Sequence, residues 1–240
     1  MAFIFITGSA DGLGLLAGKK LVDDGHQVVL HARNPERAEH AFSKVPGASK
    51  VLIADLSDKE EATKLADEVN ALGPMDAVIH NAGVYHAPSL LILQVNTLAP
   101  YILTCLIQKP ARLIYLSSQL HLHGDPDPEK MGTDRINYSD SKLHDLILAK
   151  AVARRWPEVC SNAVHPGWVP TKMGGAGASD DLKKGYETQV WLAASENARI
   201  SGRYFFHQKE ARYFKGADEV SLQEQFLEKC EQITGLRFPG

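Results

Sequence analysis

The chain predicts one doubly wound α/β domain, a parallel sheet with helices on both faces. Three observations carry this: short apolar runs alternate with longer helical periodicities, a glycine-rich loop follows the first apolar run, and no linker or shift of composition divides residues 1–240. Met1 to Ile6 is almost wholly apolar, the mark of a strand buried on both faces, and it runs straight into Thr7-Gly8. Leu15, Leu16, Leu21 and Val22 then recur at helical spacing until Asp23-Asp24-Gly25 closes the helix. Strand and helix alternate onward through Val28–His31, Pro35–Val45, Val51–Ala54, Asp58–Leu72 and Ala77–His80. Leu90–Ile107 reads as a long apolar helix despite Pro100. A strand at Arg112–Leu116, a helix at Tyr138–Trp156 and a strand at Cys160–Val164 follow, the last stopped by Pro166-Gly167. The rhythm breaks at residues 171–185, where Gly174-Gly175-Ala176-Gly177 predicts a mobile substrate loop. A helix at Tyr186–Ser195 and a strand at Arg203–Phe206 complete the pattern.

Composition narrows the function. With 44% hydrophobic and 23% charged residues the chain is an ordinary globular one, and its formal charge of −3 offers no basic stretch for a nucleic-acid backbone. The longest apolar runs fall short of the roughly 20 residues of a membrane span. The first residues lack the pattern of an export signal, so a cytoplasmic location without a membrane partner is expected. Cys105, Cys160 and Cys230 are widely spaced, which predicts reduced core thiols rather than a disulfide framework or a metal site.

The first loop, Thr7-Gly8-Ser9-Ala10-Asp11-Gly12-Leu13-Gly14, joins a buried strand to a helix, the context in which a glycine pattern binds a dinucleotide. Gly8 would permit the tight turn, Gly12 would clear space for a pyrophosphate, and Gly14 would let helix and strand pack closely. The helix N-terminus would face the anion.

With these residues the chain resembles the short-chain dehydrogenase/reductase family. Asn81-Ala82-Gly83 after the fourth strand, Asn96 in the next helix, Ser118 at the end of the fifth strand, Tyr138-Ser139-Asp140-Ser141-Lys142 and Pro166-Gly167 stand in the family's order, up to about Thr171. The resemblance implies a Rossmann fold and an NAD(P)-dependent oxidoreductase acting on a carbonyl or alcohol. Tyr138 and Lys142 are four apart, so a helix sets both on one face. A free phenol titrates near 10, and a neighbouring ammonium draws it toward the working range of an acid/base. The resemblance further implies that Ser118 holds the substrate oxygen, that Lys142 also binds the nicotinamide ribose, and that Asn96 anchors a proton-relaying water. The stretch from Ser118 to Tyr138 is long and resembles the retinol-dehydrogenase-like branch. Within it His121 and His123 alternate across a segment that reads as extended, too few for a metal site.

The end of the second strand argues the cofactor. No acidic residue stands in Val28 to Asn34 to bind a free 2′-hydroxyl, whereas Arg33 offers a planar cation for a 2′-phosphate, so NADP(H) is favoured over NAD(H). The cofactor set implied by the resemblance runs from Gly8, Ser9, Asp11, Gly12, Leu13 and Gly14 through Arg33, Asp55, Leu56, Asn81, Ala82 and Gly83. It ends with Tyr138, Lys142, Pro166, Gly167, Val169 and Thr171. Leu222, Phe226, Leu227 and Cys230 form a late helical stripe that pads either the domain's own core or an interface. Because family members often form dimers or tetramers, a homo-oligomer is expected. The alternative to an enzyme is a cofactor-binding redox sensor acting through a partner; the intact Asn96, Ser118, Tyr138 and Lys142 set counts against it.

Overall fold

The computed structural model describes residues 1–240. Its strands are β1 (Phe3–Ile6), β2 (Gln27–Ala32), β3 (Lys50–Ile53), β4 (Ala77–His80), β5 (Arg112–Leu116), β6 (Cys160–His165), β7 (Tyr204–Phe206) and β8 (Lys209–Glu210). They make one sheet in the order β3-β2-β1-β4-β5-β6-β7-β8. All neighbours pair in parallel except β7 with β8. The helices are α1 (Gly12–Asp23), α2 (Pro35–Lys44), α3 (Lys59–Ala71), α4 (Ser89–Ile92), α5 (Ala99–Leu106), α6 (Tyr138–Arg155), α7 (Leu182–Ala194) and α8 (Val220–Thr234).

Strand periodicity divides the core in two. Ile4, Ile6, Val28, Leu30, Ile79, Ile114 and Val164 face one layer with α1, α2 and α7. Phe5, Val29, Leu52, Val78, Leu113, Tyr115 and Ala163 face the other with α3, α5, α6 and α8. Successive side chains point to opposite faces of a strand, so a sheet covered on both sides needs apolar residues at every position. The doubly wound expectation therefore holds.

Four departures have local causes. β8, unforeseen, arises because His207 and Gln208 both take positive φ (47 and 62), which turns the chain back on β7 as a tight hairpin. Between α4 and α5 the helix widens into a π-helical segment, Leu93–Leu98. Pro100 then sits in the first turn of α5, where its missing N–H costs little. The combined run Ser89–Leu106 is long and apolar enough to match a membrane span, against the expectation from run length, but 67% of it is buried inside the domain. The loop expected to reach Gly185 is shorter, since α7 already begins at Leu182, where Asp181 accepts from the N–H groups of Lys183 and Lys184. The late stripe also finds its place: Phe226, Leu227 and Cys230 on α8 are buried in the core that includes α6, so no exposed stripe is left to argue for an interface.

Five histidines, His31, His80, His121, His144 and His165, are buried among these layers, and four of them are shifted furthest. Burial holds His31, His144 and His165 down to about 4 and His80 down to about 3, from an ordinary 6.5. Each is neutral when folded but takes up a proton when unfolded below 6.5, so its stabilising contribution is complete above that pH and is lost on acidification. Asp145, raised by burial, opposes them as one group against four. Thermal denaturation should therefore show the melting temperature falling steeply from pH 6.5 toward pH 4, with a slope of up to about 1.4 kcal/mol per pH unit for each histidine.

Candidate active site

The sheet order reverses between β1 and β4, and a cleft of about 600 Å³ opens beyond the C-terminal ends of the strands there. Side chains of the chain itself build its floor. Thr7 Oγ1 accepts from the N–H groups of Asn81 and Ala82 (3.0 Å each), and Asn81 Nδ2 donates to the carbonyls of Thr7 and Gly8 (2.9 Å each). Gly8 has φ +61, and a Cβ there would stand 2.7 Å from Ala82 Cα. Gly14 leaves room for the Asn81 amide, with which a Cβ would collide. That is a closer role than the strand–helix packing expected of it. His31 seals the other side: Nδ1 accepts from the Gly8 N–H (2.9 Å) and Nε2 lies 3.0 Å from the Ala54 carbonyl. Since Nδ1 must be the acceptor, Nε2 carries the proton and the ring is neutral.

Asp11 caps α1 by accepting from Gly12 N–H (2.8 Å). The same carboxylate meets Lys172 at 2.6 Å and Arg37 at 3.7 Å. Burial works to raise the pKa of its carboxyl, yet Lys172, the Gly12 N–H and Arg37 together hold Asp11 below the usual carboxylate range. At its outer end the cleft is lined by Arg33, Arg37, Asp55, Leu56 and Ser57. Arg33 forms no ion pair with Glu36 or Glu39, and it helps to hold Asp55 low, after the hydrogen bonds from Ser57. Arg37, in the first turn of α2, and Lys172 escaped the sequence reading because only the fold brings them to Asp11.

Of the expected cofactor residues, Gly8, Asp11, Gly12, Leu13, Arg33, Asp55, Leu56, Asn81, Ala82, Gly83, Tyr138, Lys142, Pro166 and Thr171 line the cleft. Ser9, Gly14, Gly167 and Val169 do not. Ser9 is fully buried, donating to the Ile6 carbonyl and accepting from His31 N–H (2.8 Å each), so it ties the loop to β2. Val169 is also buried, and its carbonyl accepts from Thr171 N–H at 2.8 Å. Gly167 has φ +88 and is closed in by Asp180, whose carboxylate accepts from Trp168 N–H at 2.6 Å.

The remaining residues meet at the inner end. A capping box fixes the start of α6: Asn137 accepts from Asp140 N–H (3.2 Å) and Asp140 from Asn137 N–H (2.9 Å). This presents half-buried Tyr138 to the cleft. Lys142, one turn on, donates to the Leu116 carbonyl at 2.6 Å and to Asp145 Oδ2 at 2.7 Å, with its Nζ 5.6 Å from the Tyr138 ring centre. Burial drives the Tyr138 phenol up. Lys142 and the Ser118 hydroxyl pull it down, but Asp145 and Tyr85 add to burial and the net direction is upward. The drop expected from Lys142 alone is thus outweighed. Ser117 lines the cleft, but its Oγ is spent on the Lys142 carbonyl (2.6 Å), whereas Ser118, outside that lining, accepts from Leu120 N–H (3.2 Å) and sets its hydroxyl beside the phenol. Asn96, in the π segment, uses its side chain on both polar groups of Val84 (2.8 and 2.9 Å) and on Ser141 Oγ (3.0 Å). Its backbone carbonyl has no α-helical donor, because the residue four on is Pro100.

Val84, Leu91, Val95 and Met173 line this inner end, all apolar, and Tyr85 packs edge-on to Tyr138 with ring centres 4.6 Å apart. The stretch after Ser118 is a 3-10 helix, Gln119–His123, rather than extended. His121 is fully buried with both nitrogens engaged: Nδ1 meets the Ser118 carbonyl at 2.6 Å and Nε2 accepts from Phe214 N–H at 3.2 Å, so it fastens the turn that carries Ser118.

A glycine-lined cradle, compensated charges and an inner polar cluster fit a nicotinamide dinucleotide. A Cβ at Gly83 would fill part of that cradle, 3.6 Å from Lys142 Nζ and 3.5 Å from Asn96 Oδ1. Fold and site define an oxidoreductase of the doubly wound dinucleotide-binding class, and comparison with known proteins narrows it. The family model for short chain dehydrogenases matches residues 2–181. A short-chain dehydrogenase of Penicillium rubens, chyC, is 44% identical over the full length of both chains. Human retinol dehydrogenase 14 is 27% identical over 97% of this chain and 86% of its own. A blue fluorescent protein from a metagenomic library, solved in complex with NADPH, shares the fold with a TM-score of 0.72 at 20% identity, over 85% of this chain and 95% of its own. The chain belongs to the short-chain dehydrogenase/reductase family.

The Asn81 fastening gives a direct test. Gly14→Ala should force the Asn81 amide off the Thr7 and Gly8 carbonyls, lowering stability by about 1–3 kcal/mol in urea denaturation and weakening dinucleotide binding.

Proposed function

We propose that the protein is an NADP(H)-dependent reductase of an uncharged, largely apolar carbonyl compound, with Tyr138 as the proton donor. The observation that carries this is that Tyr138 and Lys142 lie together in a cleft that also offers the apolar side chains of Val84, Leu91, Val95 and Met173, with the Ser118 hydroxyl beside the phenol. The charged groups, Arg33, Arg37, Asp11, Asp55 and Lys172, lie toward the adenosine end, so the substrate half favours a neutral molecule. The bound cofactor supplies hydride to the carbonyl carbon in reduction, or accepts it in oxidation. The Ser118 hydroxyl donates a hydrogen bond to the carbonyl oxygen and orients it beside the phenol. Tyr138 gives its proton to that oxygen as the alcohol forms, and Lys142 steadies the phenolate left behind. The apolar wall around Tyr85 excludes water from the reacting atoms.

Arg33 and Arg37 support NADP(H), because two cations at the end of β2 and the start of α2 suit a 2′-phosphate. NADPH should raise the melting temperature more than NADH at equal concentration. Replacing both arginines by alanine should erase the difference, weakening NADPH binding by about tenfold per arginine. Tyr138→Phe should lower carbonyl-dependent NADPH oxidation by at least about 10²-fold while NADPH still binds. Retained turnover in that variant would remove the assignment.

A further inference from the structure

Lys142 is held from behind as well as facing the cleft. Its side chain is buried, and two of its three ammonium protons are committed, one to the Leu116 carbonyl at the end of β5 and one to Asp145 Oδ2. Asp145 is equally buried, 3% exposed, and its spacing three residues beyond Lys142 sets both on the same face of α6. The third proton is left for the space bordered by Gly83 and Asn96. Burial works against the ammonium, and the adjacent Asp145 carboxylate together with the Leu116 carbonyl favours it. Tyr85 from the loop after β4, Tyr115 from β5 and Tyr204 from β7 also bear on this pair or on Tyr138, but as neutral phenols. The formal charges at Tyr138 are therefore those of Lys142 and Asp145.

We propose that Asp145 is a positioning residue for the reaction: it fixes the Lys142 ammonium between β5 and the cleft and cancels part of its charge toward Tyr138. The site then presents Tyr138 as a proton-carrying phenol, which suits carbonyl reduction better than alcohol oxidation. This rests on the reading of Tyr138 as the proton donor. A purely mechanical role would be met equally by asparagine, which keeps size and an acceptor oxygen but not the charge.

The test is an ultraviolet difference titration of Tyr138, taking each protein minus its Tyr138→Phe counterpart. It needs no substrate, so it stands apart from whether any carbonyl is turned over. In the unaltered protein the phenol should ionise above its free value of about 10. In Asp145→Asn it should ionise at least about one pH unit lower than in the unaltered protein, because the ammonium is no longer offset. Asp145→Glu should return it toward the original value. An unchanged or higher titration in folded Asp145→Asn overturns the proposal. Should that variant fail to fold, Asp145→Ser takes its place: a phenol ionising at least about one pH unit lower than in the unaltered protein upholds the proposal, and an unchanged or higher titration overturns it.

Discussion

The joint between the ends of β1 and β4 is the constraint on which the rest depends. These neighbouring parallel strands lead away in opposite directions, so their carbonyl ends would face each other across an open crevice. Thr7 and Asn81 close its base with four hydrogen bonds, two involving each side chain, while Gly14 leaves room for the Asn81 amide and Gly8 for Ala82 beside it. His31 braces the same loop from β2. The dinucleotide cradle is rigid because its backbone groups are satisfied by side chains from neighbouring strand ends.

From this joint the cleft runs from charge to apolarity. At the outer end Asp11 spends one oxygen on the start of α1 and the other on Lys172 and Arg37, which offsets a carboxylate that would otherwise repel a pyrophosphate. At the inner end the same problem appears inverted, with Lys142 buried and offset by Asp145. Both ends present compensated charge to the ligand. Removing one partner of either pair leaves the other uncompensated, and the cost is greater at the dry inner end.

The sheet and its helices were legible because double burial leaves a simple trace, a continuous apolar run at each strand and 3.6-residue periodicity between. The glycine loop and the Tyr138–Lys142 pair were legible because their spacing alone fixes their geometry. What escaped was set by partners distant in the chain. Ser9 stood among the expected cofactor residues, but its hydroxyl is engaged by Ile6 and His31. His121 read as one of two histidines alternating along an extended segment but joins Ser118 to Phe214, and the 3-10 turn that makes this possible has no periodicity to betray it. Asp145 carried no signal either, since a carboxylate on a helix is ordinarily a solvated face. The start of α7 was missed because Asp181, its cap, reads equally well as part of a polar loop.

The C-terminal region lies beyond the matched family segment, which ends at residue 181, yet the site depends on it. Helix α6 carries Tyr138, Lys142 and Asp145 and is buried over thirteen residues, Asp140 to Val152. A helix packed on a sheet by one stripe alone would leave its outer face wet. Here α8 covers that face: Phe226 packs on His144 with ring centres 5.3 Å apart, Gln223 accepts from Arg154 at 2.7 Å, and Lys150 pairs with Asp218 at 2.7 Å just before α8. Phe214, from the same region, donates to the histidine that fastens the Ser118 turn. Water excluded from α6 is what makes Asp145 an effective counter-ion rather than a screened surface charge. The late apolar stripe therefore serves the site from the far side of the helix, by keeping dry the element on which Tyr138, Lys142 and Asp145 are mounted.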